Sequence, residues 1–154
     1  MSLSCDVIAA LSGKTIATAE SCTGGGIGAA LTGVPGSSAV FKGGVISYCN
    51  EIKISVLGVD EEVLHAYGAV SAPVAEAMAC GVRALLNTDI AVSVTGLAGP
   101  TGDEFGNPVG TVFIGYKSKT RAKVYDFVFT GDRDSVRAQT VTAALRIILE
   151  NEHE

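Results

Sequence analysis

The fold is decided by residues 15–31, which read TIATAESCTGGGIGAAL. Thr15–Ala19 predicts a strand, and the small polar residues Ser21–Thr23 follow it as a turn. The glycine cluster then opens a helix of small residues that ends near Leu31. A strand that leads through a turn directly into a helix is the first half of a βαβ unit, so this stretch predicts an α/β protein.

Strands and helices continue to alternate on both sides of this stretch. Leu3–Leu11 places its apolar residues on one helical face, and Gly13 follows as a stop signal. Gly44–Cys49 is rich in β-forming residues and predicts a second strand. Asn50 is then expected to cap a helix that ends at Gly58.

Two helices and a strand are predicted between residues 60 and 94. Asp60 caps a short helix that ends at Gly68, and the clearest helix of the chain begins at Ser71. Ile90–Val94 is nearly all apolar, which is typical of a strand whose sheet is covered by helices on both faces.

A hairpin and a helix are predicted next. Thr111–Tyr116 and Val124–Phe129 are rich in β-forming residues, and their short polar link, Lys117–Lys123, favours an antiparallel pair. The final helix is expected to start at Asp132 or Asp134.

The order of these elements predicts a three-layer α/β/α sandwich around a mixed five-stranded sheet. We find no internal repeat or linker, so residues 1–154 are expected to form a single domain. The tail, Glu150–Glu154, is expected to fray.

Composition excludes several classes of protein. Hydrophobic residues make up 47% of the chain and charged residues 18%, against a usual charged fraction of about 25%, so a disordered chain is excluded. The longest uncharged stretch, Ser21–Phe41, is broken by glycines and by Pro35 and cannot span a membrane. No Lys or Arg precedes Lys14, so we expect neither a secretory nor a transit signal, and a cytoplasmic protein.

Charge and cysteine spacing limit the partners. Eleven basic residues stand against sixteen acidic ones, so no nucleic-acid partner is expected. The four cysteines are far apart and only two histidines accompany them, which disfavours a zinc site and a disulfide framework. We expect no metal and no membrane partner.

Three loops are expected at one edge of the sheet. If the first three strands are parallel, the segments after Glu20, Tyr48 and Thr95 all emerge at the carboxyl ends of their strands. Open α/β sheets bind ligands at this edge. The functional site is therefore predicted there.

The first loop combines hydroxyl groups with glycines. The N–H groups of Gly24 and Gly25 stand at a helix start after Ser21 and Thr23, an arrangement that suits an oxyanion or a phosphate. Alternatively, the two hydroxyls are helix caps and the glycines are packing spacers. Gly24–Ala29 also fits the dinucleotide-binding pattern, but the turn before it is too wide for a strong match.

The second loop contains a lysine, and the third loop is rich in glycine. With Asn50 as the cap, Lys53 is the third helical residue, where the helix dipole and partial burial disfavour its charge and favour a neutral base. Alternatively, Lys53 is a solvated lysine paired with an acid. Thr95–Asp103, which includes Gly96 and Gly99, is open enough to wrap a ligand, or it is a long surface turn.

Two arginines and one histidine complete the candidates. Arg133 and Arg137 lie four residues apart at a helix start, where they suit a phosphate. Alternatively, Asp134 and Arg137 form an ordinary surface pair. His65 lies between apolar neighbours, a setting in which histidine is more often structural than catalytic.

Five separated motifs resemble those of the CinA C-terminal domain family. In chain order they are Ala19–Gly25, Ser47–Lys53, Gly96–Pro100, Pro108–Val112 and Gly131–Arg133. The resemblance covers nearly the whole chain, and five motifs in one order are far more specific than any of them alone. It implies a fold like the anticodon-binding domains, with a mixed sheet between helices.

The resemblance also implies an activity. The family includes nicotinamide-nucleotide amidases, which hydrolyse nicotinamide mononucleotide to nicotinic acid mononucleotide and ammonia. We therefore expect an amidohydrolase with a small-molecule nucleotide substrate and no cofactor, acting as a homo-oligomer. The sequence is similar to the stand-alone form of the family, without the additional N-terminal domain of larger members. Gly99–Gly102 departs from the Gly-Pro-Gly-Gly that members often carry.

The family's roles carry over to matching positions. They imply Ser21 as the nucleophile, Lys53 as the general base and Tyr48 as a hydrogen-bonding partner in proton transfer. The positions implied to bind substrate are Thr23, Gly24, Gly25, Thr95, Gly96, Gly99, Arg133 and Arg137.

Two alternatives to the serine mechanism stay open at this point. Cys22 is a possible nucleophile of a thiol amidase, because a helix start lowers the pKa of a cysteine beside it. The second alternative is a non-catalytic nucleotide-binding module of the same fold.

Overall fold

The structure, a computed structural model, describes residues 2–153. Its elements in chain order are α1 (Leu3–Ala10), β1 (Ile16–Glu20), α2 (Gly26–Thr32), a 3₁₀ turn (Ser37–Ala39), β2 (Phe41–Ile46), α3 (Asn50–Ser55), α4 (Glu61–Tyr67), α5 (Ala72–Leu86), β3 (Ile90–Gly96), β4 (Thr111–Lys117), β5 (Ala122–Val128) and α6 (Arg133–Glu152).

The five strands form one mixed sheet in the order β2-β1-β3-β4-β5. Strand β1 pairs in parallel with both β2 and β3, so these three strands run in the same direction. Strand β4 pairs antiparallel with β3, and β5 completes an antiparallel hairpin with β4. The mixed five-stranded sheet and its hairpin are confirmed.

Helices cover both faces of the sheet. On one face, α1, α2 and α6 bury Val7, Ile27 and Ile148 in a single apolar cluster. On the other face, α5 contributes Val74 and Met78 to a second cluster that also includes residues following α3. The three-layer α/β/α sandwich is therefore confirmed. Even α6, the longest helix of residues 2–153, lacks the apolar length that crossing a bilayer requires.

Strand β2 differs from its predicted bounds. Pairing with β1 already begins at Phe41 and ends at Ile46, whereas the sequence predicted Gly44–Cys49. Gly44 lies so close to β1 that an added Cβ atom would fall 2.7 Å from the backbone oxygen of Thr18. The low β propensity of glycine therefore hid the start of a strand whose close approach requires glycine.

The last helix is longer than predicted. Residues 150–152 were expected to fray, but α6 continues to Glu152. Glu152 accepts a hydrogen bond from Tyr116 and pairs with Lys14 at 2.7 Å. These contacts with β4 and the α1–β1 connection hold the final turn. Glu154 lies outside the described residues.

Candidate active site

Ser21 and Ser47 lie side by side just beyond β1 and β2. The N–H of Ser21 donates to the carbonyl of Val94 at 3.0 Å, and the N–H of Ser47 donates to the carbonyl of Glu20 at 2.9 Å. The parallel ladder therefore extends past the strands at their carboxyl ends. Both side chains are buried, and Ser47 is completely enclosed.

Lys53 reaches these two residues from the first turns of α3. Its Nζ atom donates to the carbonyl of Ser47 at 2.7 Å and lies 3.2 Å from Ser21 Oγ. The side chain is only 1% exposed. The predicted helix start was wrong by one residue, because the extended residue Cys49, and not Asn50, is the N-cap. Lys53 is therefore the fourth helical residue.

The surroundings of Lys53 favour its neutral form. Burial lowers the pKa of Lys53 from its ordinary value of 10.5, and the thiols of Cys49 and Cys22 act in the opposite direction with less effect. Lys53 forms no ion pair with any carboxylate of residues 2–153. The alternative of a solvated lysine paired with an acid is therefore excluded. An enclosed amine beside a hydroxyl can remove the hydroxyl proton.

Cys22 follows Ser21 but has a different environment. Its side chain is 5% exposed, and burial raises the pKa of its thiol to about 11, although Arg137 and Lys53 oppose this shift. The prediction that the helix start lowers this pKa is therefore wrong. A thiol with such a pKa is protonated at neutral pH and is a poor nucleophile.

A cavity of about 300 Å³ opens onto Ser21 and Lys53. Seven of the predicted site residues line it, and they come from four separate parts of the chain. These residues are Ser21, Tyr48, Lys53, Thr95, Gly96, Gly99 and Arg133.

Arg133, the first residue of α6, organises the mouth of this cavity. Its guanidinium donates to the carbonyl of Gly99 at 2.6 Å and to the hydroxyl of Tyr48 at 2.9 Å. Tyr48 is 60% exposed, so its own hydroxyl proton is available to a ligand. Arg133 thereby joins the second and third loops around the cavity.

The third loop is anchored at its base. Thr95 is buried and donates its hydroxyl to the carbonyl of Ala69 at 2.7 Å. A larger cavity of about 660 Å³ adjoins the first, because Ala69, Val70 and Leu97 line both. His65 also lines the larger cavity and does not line the first one.

The sequence matches one family model over residues 2–151, that of the CinA C-terminal domain. The chain belongs to the CinA family. Two similar relatives are the CinA-like protein of Sulfurihydrogenibium sp. (strain YO3AOP1), which is 50% identical over 135 residues, and that of Endomicrobium trichonymphae, which is 48% identical over 135 residues. Each alignment covers 88% of this chain, but 34% and 32% of the relatives. The chain thus spans about a third of the length of these CinA relatives.

Solved structures of the CinA family have the same fold. The competence damage-inducible protein A (ComA) from Klebsiella pneumoniae superposes with a TM-score of 0.94 at 38% identity, over 96% of this chain and 93% of that chain. The competence/damage inducible protein CihA from Agrobacterium tumefaciens superposes with a TM-score of 0.90 at 38% identity, over 99% and 94% of the two chains.

Sequence reasoning missed the role of Glu20 in this CinA domain. The buried Glu20 carboxylate accepts from the N–H groups of Ile27 and Gly28 at 2.7 and 3.0 Å. It also accepts from the hydroxyl of Thr23 at 2.7 Å. The start of α2 is therefore already occupied by an internal anion. An acid placed at a strand end, a few residues before a helix of small residues, was the available signal.

The predicted role of the glycine N–H groups needs correction as well. The N–H of Gly24 donates to the carbonyl of Ser21 at 3.1 Å, so it is not free at the helix start. Thr23, Gly24 and Gly25 do not line the cavity at Ser21. Thr23 is turned toward Glu20, because their hydrogen bond satisfies two buried polar groups.

Arg137 holds the loop that follows Ser21. Its guanidinium donates to the carbonyls of Cys22 and Thr23 at 3.0 and 3.3 Å. It lies outside the cavity that Arg133 lines, so the structure does not bring the two arginines together there. The alternative surface pair with Asp134 is not formed in residues 2–153. In this CinA domain, Arg137 fixes the backbone next to Ser21.

Proposed function

We propose that this chain is an amidohydrolase that converts nicotinamide mononucleotide to nicotinic acid mononucleotide and ammonia. The observation that carries the proposal is the enclosed amine of Lys53, 3.2 Å from the hydroxyl of Ser21 and without a carboxylate partner in residues 2–153. The choice of substrate rests on the motifs shared with the nicotinamide-nucleotide amidases of the CinA family.

The reaction begins with the neutral amine of Lys53. Lys53 takes the proton of Ser21 while Oγ attacks the carboxamide carbon of the nicotinamide ring. The resulting tetrahedral intermediate collapses as Lys53 returns the proton to the leaving nitrogen, which departs as ammonia. A nicotinoyl ester of Ser21 remains. Water, deprotonated by Lys53, hydrolyses this ester to release the acid and restore Ser21.

The oxyanion of the intermediate needs hydrogen-bond donors beside Ser21. Cys22 follows the nucleophile in sequence and lines the same cavity. Its N–H donates to no backbone carbonyl of residues 2–153. We assign the oxyanion to this side of the cavity. Tyr48, whose hydroxyl oxygen is held by Arg133, supplies a further donor at the mouth.

The charges that line the cavity orient the nucleotide. Arg133 and Lys53 are the two basic residues that line it. Since Lys53 must be neutral to act as a base, Arg133 is left to attract the phosphate. The larger adjoining cavity is lined by the acidic residues Glu51, Glu61 and Glu104, which would repel a phosphate. The phosphate therefore points toward Arg133 and away from this second cavity.

The direct test is an ammonia-release assay with nicotinamide mononucleotide, in which Ser21→Ala is compared with the wild type. We expect Ser21→Ala to lower kcat at least about 10³-fold, because it removes the nucleophile. The variant should stay folded, since only one oxygen atom is lost. Retention of most of the wild-type turnover would contradict the serine mechanism.

Cys22→Ser is the matched control at the neighbouring position. It should keep most of the activity, because a protonated buried thiol takes no part in the chemistry. Loss of activity in Cys22→Ser together with an active Ser21→Ala would favour the thiol amidase instead. Wild-type binding of the nucleotide without ammonia release would favour the non-catalytic module.

A further inference from the structure

Ser47 carries the one buried side-chain oxygen or nitrogen in residues 2–153 that has no hydrogen-bond partner. Ser47 is 0% exposed, so its hydroxyl has no access to solvent. Buried hydroxyls are nearly always paired, because an unpaired one has lost its water and gained nothing in exchange. The exception therefore calls for a state of the molecule in which the hydroxyl does have a partner.

The position of Ser47 points to that partner. Its N–H donates to the carbonyl of Glu20, so Ser47 continues the β1–β2 register and lies beside Ser21. Residues paired across parallel strands direct their side chains to the same face of the sheet. Lys53 is held against the carbonyl of Ser47 itself, at 2.7 Å. The unpaired hydroxyl thus belongs to the same enclosed group as the nucleophile and the base.

The resting and charged forms of Lys53 need different numbers of acceptors. A neutral amine has two N–H donors and one lone pair, whereas the ammonium has three donors and none. The carbonyl of Ser47 accepts one of these N–H groups in the resting state. Once the proton of Ser21 has moved to Lys53, the Ser21 oxygen is bonded to substrate carbon and is a weaker acceptor. The ammonium then has one more N–H donor than the resting amine and a weaker acceptor at Ser21.

We propose that Ser47 is a positioning residue whose hydroxyl accepts a hydrogen bond from the ammonium of Lys53 during turnover. This inference rests on the proposed amidase function. No bond is made or broken at Ser47, since the hydroxyl only rotates to present a lone pair. Its role is to stabilise the charge that proton transfer creates and to aim the proton at the leaving nitrogen.

The other groups around Lys53 leave this role open. The thiols of Cys22 and Cys49 face the amine from the nucleophile loop and from α3, and sulfur is a weak acceptor. The carboxylate of Glu20, on β1, is turned toward α2 and holds four donors there. Arg133, from α6, brings only donors to the cavity. The Ser47 hydroxyl remains as a buried acceptor without a partner in residues 2–153.

The test compares Ser47→Ala with Ser93→Ala, a matched truncation elsewhere in the sheet. Ser93 is also 0% exposed, but its hydroxyl donates to the carbonyl of Ala75 at 2.6 Å. At a pH high enough for Lys53 to be neutral in both proteins, we expect Ser47→Ala to lower kcat about tenfold with KM unchanged, and to leave Tm unchanged or higher. Ser93→Ala should do the reverse, lowering Tm and leaving kcat unchanged. Equal kcat for Ser47→Ala and the wild type at that high pH would overturn the proposal.

A second measurement is independent of amidase activity. The pKa of Lys53 is followed by a ¹³C NMR titration of labelled lysine side chains, with Lys53→Met used to assign the signal. Loss of an acceptor from the ammonium should move the midpoint about one pH unit lower in Ser47→Ala. The pH at which kcat reaches half of its alkaline maximum should also be lower in Ser47→Ala than in the wild type.

The two measurements separate the possible failures. A Lys53 midpoint that is the same in Ser47→Ala and in the wild type would overturn the role of Ser47, whatever the activity. A shifted midpoint in a protein that releases no ammonia would uphold the contact between Ser47 and Lys53 and would instead contradict the amidase function.

Discussion

Lys53 combines almost complete burial with a polar contact on two sides. The same desolvation that disfavours its ammonium form makes its lone pair available to Ser21. A lysine on the protein surface would be protonated at neutral pH and could not act as a base. The enclosure of this one side chain therefore sets the pH range in which the proposed reaction runs.

Turnover should depend on pH through Lys53. Because its pKa is lowered and the neutral amine is the active form, kcat should rise with pH along a limb whose midpoint lies below 10.5. Lys53→Arg stays charged at every accessible pH and should lose turnover while still binding substrate. Lys53→Ala should also be inactive, with partial rescue by a small external amine. The measurement is kcat against pH for the three proteins.

Near-normal turnover by Lys53→Arg would contradict this assignment. In that case Lys53 would supply only positive charge, and the base would have to be another group of the cavity. Substrate affinity, measured by calorimetry on the inactive variants, is the control that separates lost chemistry from lost binding.

At the residue scale, the sequence predicted seven residues that line the cavity and missed the contacts that hold the surrounding backbone. Lys53 stands out because few basic residues precede Thr111 and because it follows a strand end. Glu20 acts through backbone N–H groups of α2, and Arg137 acts through backbone carbonyls of the loop after Ser21. Arg137 is 115 positions from its carbonyl partner at Cys22. Such pairs are set by tertiary packing, and a single sequence contains no local pattern for them.

At the scale of elements, α2 depends on an acid that lies outside it. The helix has seven residues and no side-chain cap at Gly25, which makes it marginal by itself. Glu20 satisfies two of its first N–H groups and places a negative charge at the positive end of the helix. This one residue of β1 therefore connects the sheet to the helix.

Glu20→Gln should destabilise the protein by about 2 kcal/mol. Each oxygen of the Glu20 carboxylate accepts two hydrogen bonds. In glutamine an NH₂ group replaces one of these oxygens, so two buried donors lose their acceptor and face another donor. Urea unfolding gives the change in free energy. Asp60→Asn is the control, because this exposed cap of α4 accepts one N–H and asparagine caps about as well as aspartate. An unchanged free energy of unfolding in Glu20→Gln would show that this cap of α2 is dispensable.

The junction of α5 with α3 depends on the absence of a side chain at Gly81. An added Cβ atom would overlap the backbone oxygen of Leu57 and lie 2.8 Å from its carbonyl carbon. Helix α5 therefore packs directly on the backbone that follows α3. Because α3 carries Lys53, the spacing of this junction also positions Lys53.

Gly81→Ala should lower the free energy of unfolding by about 1–3 kcal/mol, although alanine is the better helix former. It should also lower kcat, since relief of the overlap requires α3 to move. Gly33→Ala is the matched control: its φ is −67° and its nearest neighbours lie at 3.6 Å. That variant should be neutral or gain up to about 1 kcal/mol. A higher free energy of unfolding in Gly81→Ala than in the wild type would show that α3 and α5 can move apart without cost.

At the scale of the whole molecule, Glu152 connects three parts of the chain. It joins the end of α6 to Lys14 after α1 and to Tyr116 on β4. Burial together with the nearby carboxylate of Glu152 raises the pKa of Tyr116, so this hydroxyl keeps its proton and continues to donate. The edge of the sheet opposite the candidate active site is closed by these contacts.

Glu152→Ala should destabilise the protein by about 1–2 kcal/mol. The hydrogen bond with Tyr116 accounts for most of this, because the half-exposed Lys14 makes the ion pair weak. Amide exchange should become faster in the last turn of α6. Glu150→Ala, at an exposed position two residues earlier, should change neither property. Unchanged exchange in Glu152→Ala would mean that apolar packing alone holds the helix end.

The architecture was more predictable than its details. Alternating apolar patterns and short polar links are repeated over many residues, so the three layers and the hairpin follow from the sequence. The start of β2 at Phe41 and the continuation of α6 to Glu152 depend on single contacts with distant residues. Local propensity opposed both, and tertiary contacts decided them.

The hydrogen bonds from Arg137 to Cys22 and Thr23 also have a consequence during synthesis of the chain. Helix α6 is synthesised more than a hundred residues after Ser21, a delay of about ten seconds at ordinary elongation rates. Until α6 docks, the carbonyls of Cys22 and Thr23 have no guanidinium to bind. A nascent chain therefore carries Ser21 in an unsupported loop until α6 has been made. The order of synthesis thus delays the fixing of this loop until α6 has docked.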